Sequence, residues 1–285
     1  MAEPALDPRL TPARPDLAAR YLQGKVTAAR FVDGEAREVI DAQAPLRRAP
    51  SPDAPLETEA LMGERVIVYD VDDEGWAWAQ LETDRYVGYL PANALSSPRM
   101  APTHRVAALR TFVFPGPSIK LPPLAAPSLG SRLAIVGTQE RFAVTASGGY
   151  IPARHLAALD TCEPDFVAVA ERFVGVPYLW GGKSSLGLDC SGLVQLALAA
   201  AGIAVPRDTD LQERALGTPI APDTDNSNLR RGDLIFWKGH VAIVRDPSSI
   251  VHANAFHMAV AVEPTAEAIP RIRETDGDPT SVRRM

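Results

Sequence analysis

A cysteine and two histidines are the residues whose types and spacing are best suited to chemistry. Cys190 directly precedes an apolar stretch, 193–201, that is typical of a helix. The unpaired N–H groups at a helix start favour a thiolate over a thiol. His240 and His252 follow in two strand-like segments. Because an imidazole can take the proton of a nucleophilic thiol, this set predicts thiol catalysis, with Cys190 as the nucleophile and His240 as its base.

The two histidines are predicted to meet across a hairpin. If the turn at 246–247 is its midpoint, His240 lies nearly opposite His252, on the same face, with Cβ atoms about 5 Å apart. His252 would then orient His240 by a hydrogen bond to the ring nitrogen of His240 that does not take the thiol proton. Each residue taken alone has a structural alternative. Cys190 could be a buried, unreactive thiol, and each histidine could be a core residue whose hydrogen bonds are made within the fold. No metal or other cofactor is expected, because these residues form no close Cys-x-x-Cys or His-x-x-x-His pair.

The composition is that of a globular chain with room for several domains. The 285 residues are 46% hydrophobic and 22% charged. A net charge of −6 argues against nucleic acid or an anionic membrane as the main partner. The two cysteines, Cys162 and Cys190, are interpreted as thiols, which suits a reducing compartment. The N-terminus lacks the pattern of a signal peptide and no apolar run is long enough for a bilayer, so the predicted location is cytoplasmic.

The pattern along the chain predicts four regions. Residues 1–38 are an N-terminal extension of mixed character. The segments 39–98 and 99–160 consist of short strands and turns, and their similar endings, Tyr-Val-Gly-Tyr-Leu-Pro and Gly-Tyr-Ile-Pro, predict two small β-barrels. Residues 161–285 show helical spacing first and strands afterwards. Helices followed by an antiparallel sheet predict the α+β class for this last region.

The last region resembles the NlpC family of cell-wall peptidases, which are papain-like. The likeness covers roughly residues 163–275 and rests on several motifs in the family's order. These are Gly-Val-Pro-Tyr-Leu-Trp-Gly-Gly-Lys from Gly175, Gly-Leu-Asp-Cys-Ser-Gly-Leu-Val-Gln from Gly187, Pro-Arg-Asp-Thr-Asp-Leu-Gln from Pro206, Arg-Gly-Asp-Leu-Ile-Phe-Trp from Arg231, Gly-His-Val-Ala-Ile-Val from Gly239 and Val-His-Ala-Asn from Val251. The resemblance implies a papain-like catalytic domain preceded by two small bacterial SH3-like β-barrels, with Cys190, His240 and His252 as catalytic residues.

The whole chain is similar to the cytoplasmic γ-D-glutamyl-L-diamino-acid endopeptidases that recycle murein peptides. This resemblance implies a small peptide substrate that begins with a free L-Ala. The bond cut would join the γ-carboxyl of D-Glu to the diamino acid. Two other functions remain open. One is a broader cell-wall amidase or acyltransferase, and the other is a module that binds wall fragments while its catalytic domain is idle.

The same resemblance assigns further residues to the substrate. Asp189 would bind the ammonium group of L-Ala, with Ser191 assisting, and the alternative for Asp189 is a helix N-cap. Arg207 would pair with a substrate carboxylate or, alternatively, with a structural partner. The other assigned residues are Tyr178 and Trp180, which line the pocket or pack in the core, Asp208 as a polar contact, and Tyr86 and Glu64 from the first SH3-like domain.

Overall fold

Short strands dominate the computed structural model, which describes residues 6–223 and 226–285. The chain divides into two units, Met1–Leu159 and Asp160–Met285. In the part of the chain that is described, none of the helices combines the length and the hydropathy that a bilayer crossing requires.

The first unit is built from strands and single 3₁₀ turns. Its strands are β1 (Leu17–Ala19), β2 (Arg30–Val32), β3 (Glu35–Val39), β4 (Gln43–Arg47), β5 (Leu56–Leu61), β6 (Arg65–Val71), β7 (Trp76–Leu81), β8 (Val87–Pro91), β9 (Leu95–Ser96), β10 (His104–Val106), β11 (Arg132–Leu133), β12 (Ile135–Gln139), β13 (Phe142–Thr145), β14 (Tyr150–Pro152) and β15 (Leu156–Ala158).

A seven-stranded antiparallel sheet forms the first predicted barrel segment. Its strand order is β5-β4-β8-β7-β6-β3-β9, and alternate side chains of these strands bury an apolar cluster that includes Leu46, Val66 and Leu90. The sheet begins with β3 at Glu35, four residues before the predicted boundary at residue 39. Strand β1 precedes this boundary, and its Leu17 is fully buried.

The two similar sequence endings adopt the same local structure. In the first, β8 runs through a 3₁₀ turn, Ala92–Ala94, into β9. In the second, β14 runs through a 3₁₀ turn, Ala153–His155, into β15. A proline in extended conformation precedes each turn, because its fixed φ suits that position. The likeness predicted between the two endings is thus confirmed. The strands of the second segment form two three-stranded sheets, β11-β10-β15 and β12-β13-β14.

The second unit places helices beside one antiparallel sheet, which confirms the α+β class. Its helices are α1 (Phe166–Glu171), α2 (Cys190–Ala200), α3 (Thr209–Ala215) and α4 (Thr265–Asp276). Its strands are β16 (Lys183–Ser184), β17 (Gly187–Leu188), β18 (Thr218–Ile220), β19 (Leu234–Trp237), β20 (His240–Asp246), β21 (Ser249–Asn254), β22 (Ala259–Pro264) and β23 (Ser281–Arg284). The six-stranded sheet has the order β18-β23-β19-β20-β21-β22, and β16 and β17 form a separate hairpin.

Helix α2 is the buried element that carries the predicted nucleophile. Its sequence is rich in Leu and Ala, which favour a helix, and nearly every residue in it is buried. A Cβ atom on Gly192 would lie 2.2 Å from the carbonyl oxygen of Gly182, so only glycine lets the first helical turn approach this backbone. The helix ends at Ala200, and Gly202, two residues later, has a φ of 81°, which glycine readily adopts.

Candidate active site

The thiol of Cys190 lies at the N-terminus of α2 and faces the start of β20. Cys190 is the first residue of the helix and is 6% exposed. Its Sγ lies 3.8 Å from the hydroxyl oxygen of Thr209 and 3.8 Å from the carbonyl oxygen of Gly239. The backbone N–H of Val241 also donates to the thiol. The backbone on both sides of His240 therefore contacts the predicted nucleophile.

A tight turn sets the position of His240. His240 is the first residue of β20 and pairs with Trp237 across the two-residue turn 238–239. Gly239 in this turn has a φ of 84°, a left-handed conformation that favours glycine. The turn at Lys238-Gly239 brings His240 to the edge where α2 begins.

The two histidines are hydrogen-bonded, although the predicted register is wrong. Nε2 of His240 lies 2.9 Å from Nδ1 of His252. Ile243 pairs with Val251, so His252 lies opposite residue 242 and only diagonally from His240. The physical reason is that the turn is centred at 247–248, later than predicted. A bulge between Val244 and Asp246 then shifts the ladder by one residue and returns both histidines to one face.

Glu263 and Arg271 complete a chain of contacts that the sequence analysis missed. Nε2 of His252 lies 2.8 Å from Oε2 of Glu263, and Arg271 forms an ion pair with the same oxygen. Glu263 is 8% exposed and stands on β22, while Arg271 stands on α4. The sequence pattern of 259–263 does not indicate a buried functional glutamate. In the alternation, Glu263 falls on the same face as the two alanines, which is typical of a strand face exposed to solvent.

Burial keeps both reacting groups neutral in the resting protein. Burial, reinforced by the charge of Asp189, raises the pKa of the Cys190 thiol to about 11, although the Thr209 hydroxyl opposes this shift. Burial, followed by electrostatic interactions with His252 and Arg271, lowers the pKa of His240 to about 3. Desolvation therefore opposes the thiolate expected from the helix N-terminus, because burial penalises the charged form. His240 is likewise a neutral imidazole in the resting protein, because burial disfavours its protonated form.

The neutral His240 predicts a loss of stability in acid. Between about pH 6.5 and pH 3, the unfolded chain holds a proton on His240 that the folded chain does not. As the pH is lowered through this window, the free energy of unfolding should therefore decrease. The decrease for this proton is up to about 1.4 kcal/mol per pH unit. Urea unfolding at several pH values measures the slope. His240→Asn should make it shallower than His104→Asn does, and equal slopes for both variants would refute the assignment.

Asp189 combines the capping role with a buried ion pair. Its Oδ1 accepts the backbone N–H of Gly192 at 2.7 Å, so it caps α2. The guanidinium of Arg207, which is 1% exposed, donates to both carboxylate oxygens at 2.9 and 2.6 Å. Arg207 also donates to the hydroxyl of Ser191 at 2.8 Å. The capping and ion-pair alternatives are thus observed, and the predicted contacts of these residues with a substrate stay predictions.

The other predicted residues of this unit differ in exposure. Tyr178 is half-buried, and burial, followed by electrostatic interactions with Cys190 and Asp189, raises the pKa of its hydroxyl. Trp180 is 66% exposed, so the core-packing alternative does not apply to it. Asp208 occupies the N-cap position of α3 without a capping hydrogen bond from its side chain. Thr209, which follows it, contacts the thiol and was not singled out from the sequence.

The two residues predicted from the first unit both lie in its interior. Tyr86 packs in the apolar cluster of the seven-stranded sheet, and its hydroxyl donates to Glu57 at 3.2 Å. Glu64 is 6% exposed and accepts the backbone N–H of Leu61 at 2.7 Å. These contacts give both residues a structural role within the unit. Their predicted contact with a substrate stays a prediction.

Comparison with known proteins identifies two domains. The model of the NlpC/P60 family matches residues 175–273. The model described as the bacterial dipeptidyl-peptidase Sh3 domain matches residues 46–95. The first of these matches includes Cys190, His240, His252 and Glu263, and the second lies in the seven-stranded sheet.

Individual relatives agree with these matches. The chain is 38% identical over 108 residues to dipeptidyl-peptidase 6 of Lysinibacillus sphaericus. This alignment covers 38% of this chain and 38% of that protein. It is 25% identical over 245 residues to the γ-D-glutamyl-L-lysine dipeptidyl-peptidase of Bacillus cereus, covering 73% of this chain and 70% of that protein. The match thus spans less than two thirds of the Lysinibacillus protein.

A solved structure shows the same fold. The crystal structure of an NlpC/P60 family protein from Bacillus cereus aligns with a TM-score of 0.73 and 22% identity, covering 88% of this chain and 99% of that chain. At this identity the likeness establishes the fold. The chain therefore contains an NlpC/P60 family domain with a papain-like α+β fold, and a bacterial SH3 domain precedes it in the sequence.

Proposed function

We propose that this protein is a cysteine endopeptidase that hydrolyses the γ-D-glutamyl-L-diamino-acid bond of short peptidoglycan-derived peptides. The observation that carries the proposal is the buried thiol of Cys190 at a helix start, beside the hydrogen-bonded pair His240 and His252. The name of the Bacillus cereus relative, a γ-D-glutamyl-L-lysine dipeptidyl-peptidase, supports the choice of bond. We further propose that the enzyme acts in the cytoplasm and recycles murein peptides.

The reaction proceeds in two acyl-transfer steps. In the first, His240 takes the thiol proton while the sulfur of Cys190 attacks the γ-carbonyl carbon of D-Glu. Backbone N–H groups at the start of α2 stabilise the oxyanion. The protonated His240 then gives its proton to the leaving amine of the diamino acid, and a thioester remains. In the second step, His240 activates water, and hydrolysis of the thioester releases the carboxylate and restores the thiol.

Asp189 constrains how the free amine of the substrate is recognised. Its two carboxylate oxygens already accept two hydrogen bonds from Arg207 and one each from Gly181, Ser191 and Gly192. The charge of Arg207 therefore already compensates that of Asp189. An ammonium group would have to share this carboxylate with its present donors. We propose that Asp189 contributes to amine recognition through one shared oxygen while it keeps its cap and its ion pair.

Acetylation of the substrate amine tests this recognition. We expect acetyl-L-Ala-γ-D-Glu-L-Lys to be cleaved at least roughly tenfold less efficiently in kcat/KM than the free peptide, because a charge-assisted hydrogen bond is lost. Mass spectrometry of the products measures both rates and identifies the bond that is cut. Matched reactions use diaminopimelate in place of lysine and a glycan-linked form of the peptide.

Three outcomes of this assay would contradict parts of the proposal. Equal rates on the free and acetylated peptides would indicate a broader wall amidase. Transfer of the acyl group to an added amine, in preference to water, would indicate an acyltransferase. Binding of the peptide without turnover would indicate a wall-fragment-binding module.

A further inference from the structure

The contact chain from Glu263 to His240 determines which ring nitrogens carry protons. Although burial opposes it, the interactions with His252 and Arg271 lower the pKa of Glu263, so its carboxylate is ionised and only accepts. Nε2 of His252, 2.8 Å away, must therefore carry a hydrogen. Because burial also lowers the pKa of His252, its ring is neutral and its Nδ1 is an acceptor.

The same logic continues to the predicted base. Nδ1 of His252 accepts at 2.9 Å from Nε2 of His240, so Nε2 of His240 carries the hydrogen. The neutral ring of His240 then has its lone pair on Nδ1. Each proton position in this chain follows from the charged carboxylate at its far end. A neutral or apolar side chain at residue 263 would remove that constraint.

We propose that Glu263, held by Arg271, is a positioning residue that fixes the tautomer of His252 and so makes Nδ1 of His240 the proton acceptor. The inference rests on the proposed thiol chemistry but needs no particular substrate. Glu263 reaches His252 from β22, and Arg271 reaches Glu263 from α4 and also stacks on Phe256, 4.2 Å from the ring centroid. His257, from the turn between β21 and β22, lies 3.6 Å from the other oxygen of Glu263.

Because Glu263 and Arg271 carry opposite charges, their removal should change the basicity of His240 in opposite directions. Glu263 raises the pKa of both His240 and His252, whereas Arg271 lowers them. Loss of Glu263 should make His240 a weaker base, and loss of Arg271 should make it a stronger one. A merely structural role predicts that both losses act in the same direction. His257 also lowers the pKa of His252, so it is left unchanged in every variant.

The experiment uses the full chain with Cys162→Ser, so that Cys190 is the only thiol. The variants are Glu263→Leu, Glu263→Gln and Arg271→Met, with Glu267→Gln as the control for charge loss at an exposed glutamate of α4. Two readouts need no substrate. Long-range ¹H–¹⁵N correlation spectra identify the protonated nitrogen of each histidine, and the rate of alkylation by iodoacetamide at pH 7 reports how readily Cys190 loses its proton.

We expect Glu263→Leu to mix the tautomers of His252, to slow alkylation by up to about tenfold and to reduce kcat by roughly 10 to 100-fold with little change in KM. Glu263→Gln keeps an acceptor oxygen, so it should retain the tautomer and recover part of kcat. Arg271→Met should retain the tautomer and accelerate alkylation by up to about tenfold. Glu267→Gln should match the parent protein.

Several results would overturn the inference. These are a proton on Nδ1 of His252 in the parent protein, a Glu263→Leu variant with the parent's tautomers and kcat, and slower alkylation in Arg271→Met. Should Glu263→Leu fail to fold, the parent spectrum and Arg271→Met still decide the question. Absence of peptide hydrolysis with the expected spectra and alkylation rates would refute the proposed function and leave this inference intact.

Discussion

Replacing Cys190 with alanine is expected to reduce hydrolysis of L-Ala-γ-D-Glu-L-Lys by roughly 10⁴-fold or more. The sulfur forms the thioester, and the methyl group of alanine cannot act as a nucleophile in its place. The substitution removes a small buried side chain at a helix start, so the loss of stability should be modest. Product formation followed by mass spectrometry measures the effect, and thermal unfolding verifies that the variant is folded.

Cys162→Ala is the matched control for this prediction. Cys162 is exposed, and Cys190 is buried in the contacts described above. The control should therefore keep the full rate of hydrolysis. If a folded Cys190→Ala protein retained more than about a tenth of that rate, the sulfur would not be the nucleophile, and the thioester mechanism would be wrong.

Replacing Arg207 with methionine is expected to lower the free energy of unfolding by about 3–5 kcal/mol. The substitution keeps most of the apolar stem but leaves the carboxylate of Asp189 buried without its charged partner. The helix cap and the hydroxyl of Ser191 would still donate to this carboxylate, and they compensate only part of the lost charge. Urea unfolding of the variant and the parent protein measures the difference.

Arg214→Met provides the control, because it also removes a guanidinium from an ion pair. Arg214 pairs with Asp210 across one turn of α3, and both side chains are at least half exposed. Such a surface pair contributes less than about 1 kcal/mol. The double variant Asp189→Asn with Arg207→Met should be more stable than the sum of the single changes predicts, since neither charge is left alone. Equal effects of Arg207→Met and Arg214→Met would show that the buried pair is not a stabilising feature.

Local signals predicted much of this site. The Asp-Cys-Ser-Gly stretch contains its own helix cap and glycine, and both features act within a few residues of Cys190. The Lys-Gly turn likewise places His240 at the start of its strand. Such features are readable from sequence because they depend on the backbone preferences of neighbouring residues.

Other features depended on packing between distant segments. Arg207 pairs with Asp189, which lies 18 positions earlier in the chain, and both side chains are buried away from water. The glutamate that binds His252 comes from a strand with an unremarkable pattern. The protonation of Cys190 also depended on its surroundings, since the sequence indicated a helix terminus but not the degree of burial.

The amino-acid sequence by itself determined the reactive residue types, the helix start under Cys190, and a histidine on each of two adjacent strands. The tertiary structure decided that the two imidazoles meet and that the backbone on both sides of His240 contacts the thiol. A bulge in β20 brings His240 and His252 to one face, and β22 and α4 supply Glu263 and Arg271 behind them. The physical reason is one of range: caps and turns are set by neighbouring residues, whereas strand register, desolvation and buried ion pairs are set by what the completed fold packs around them.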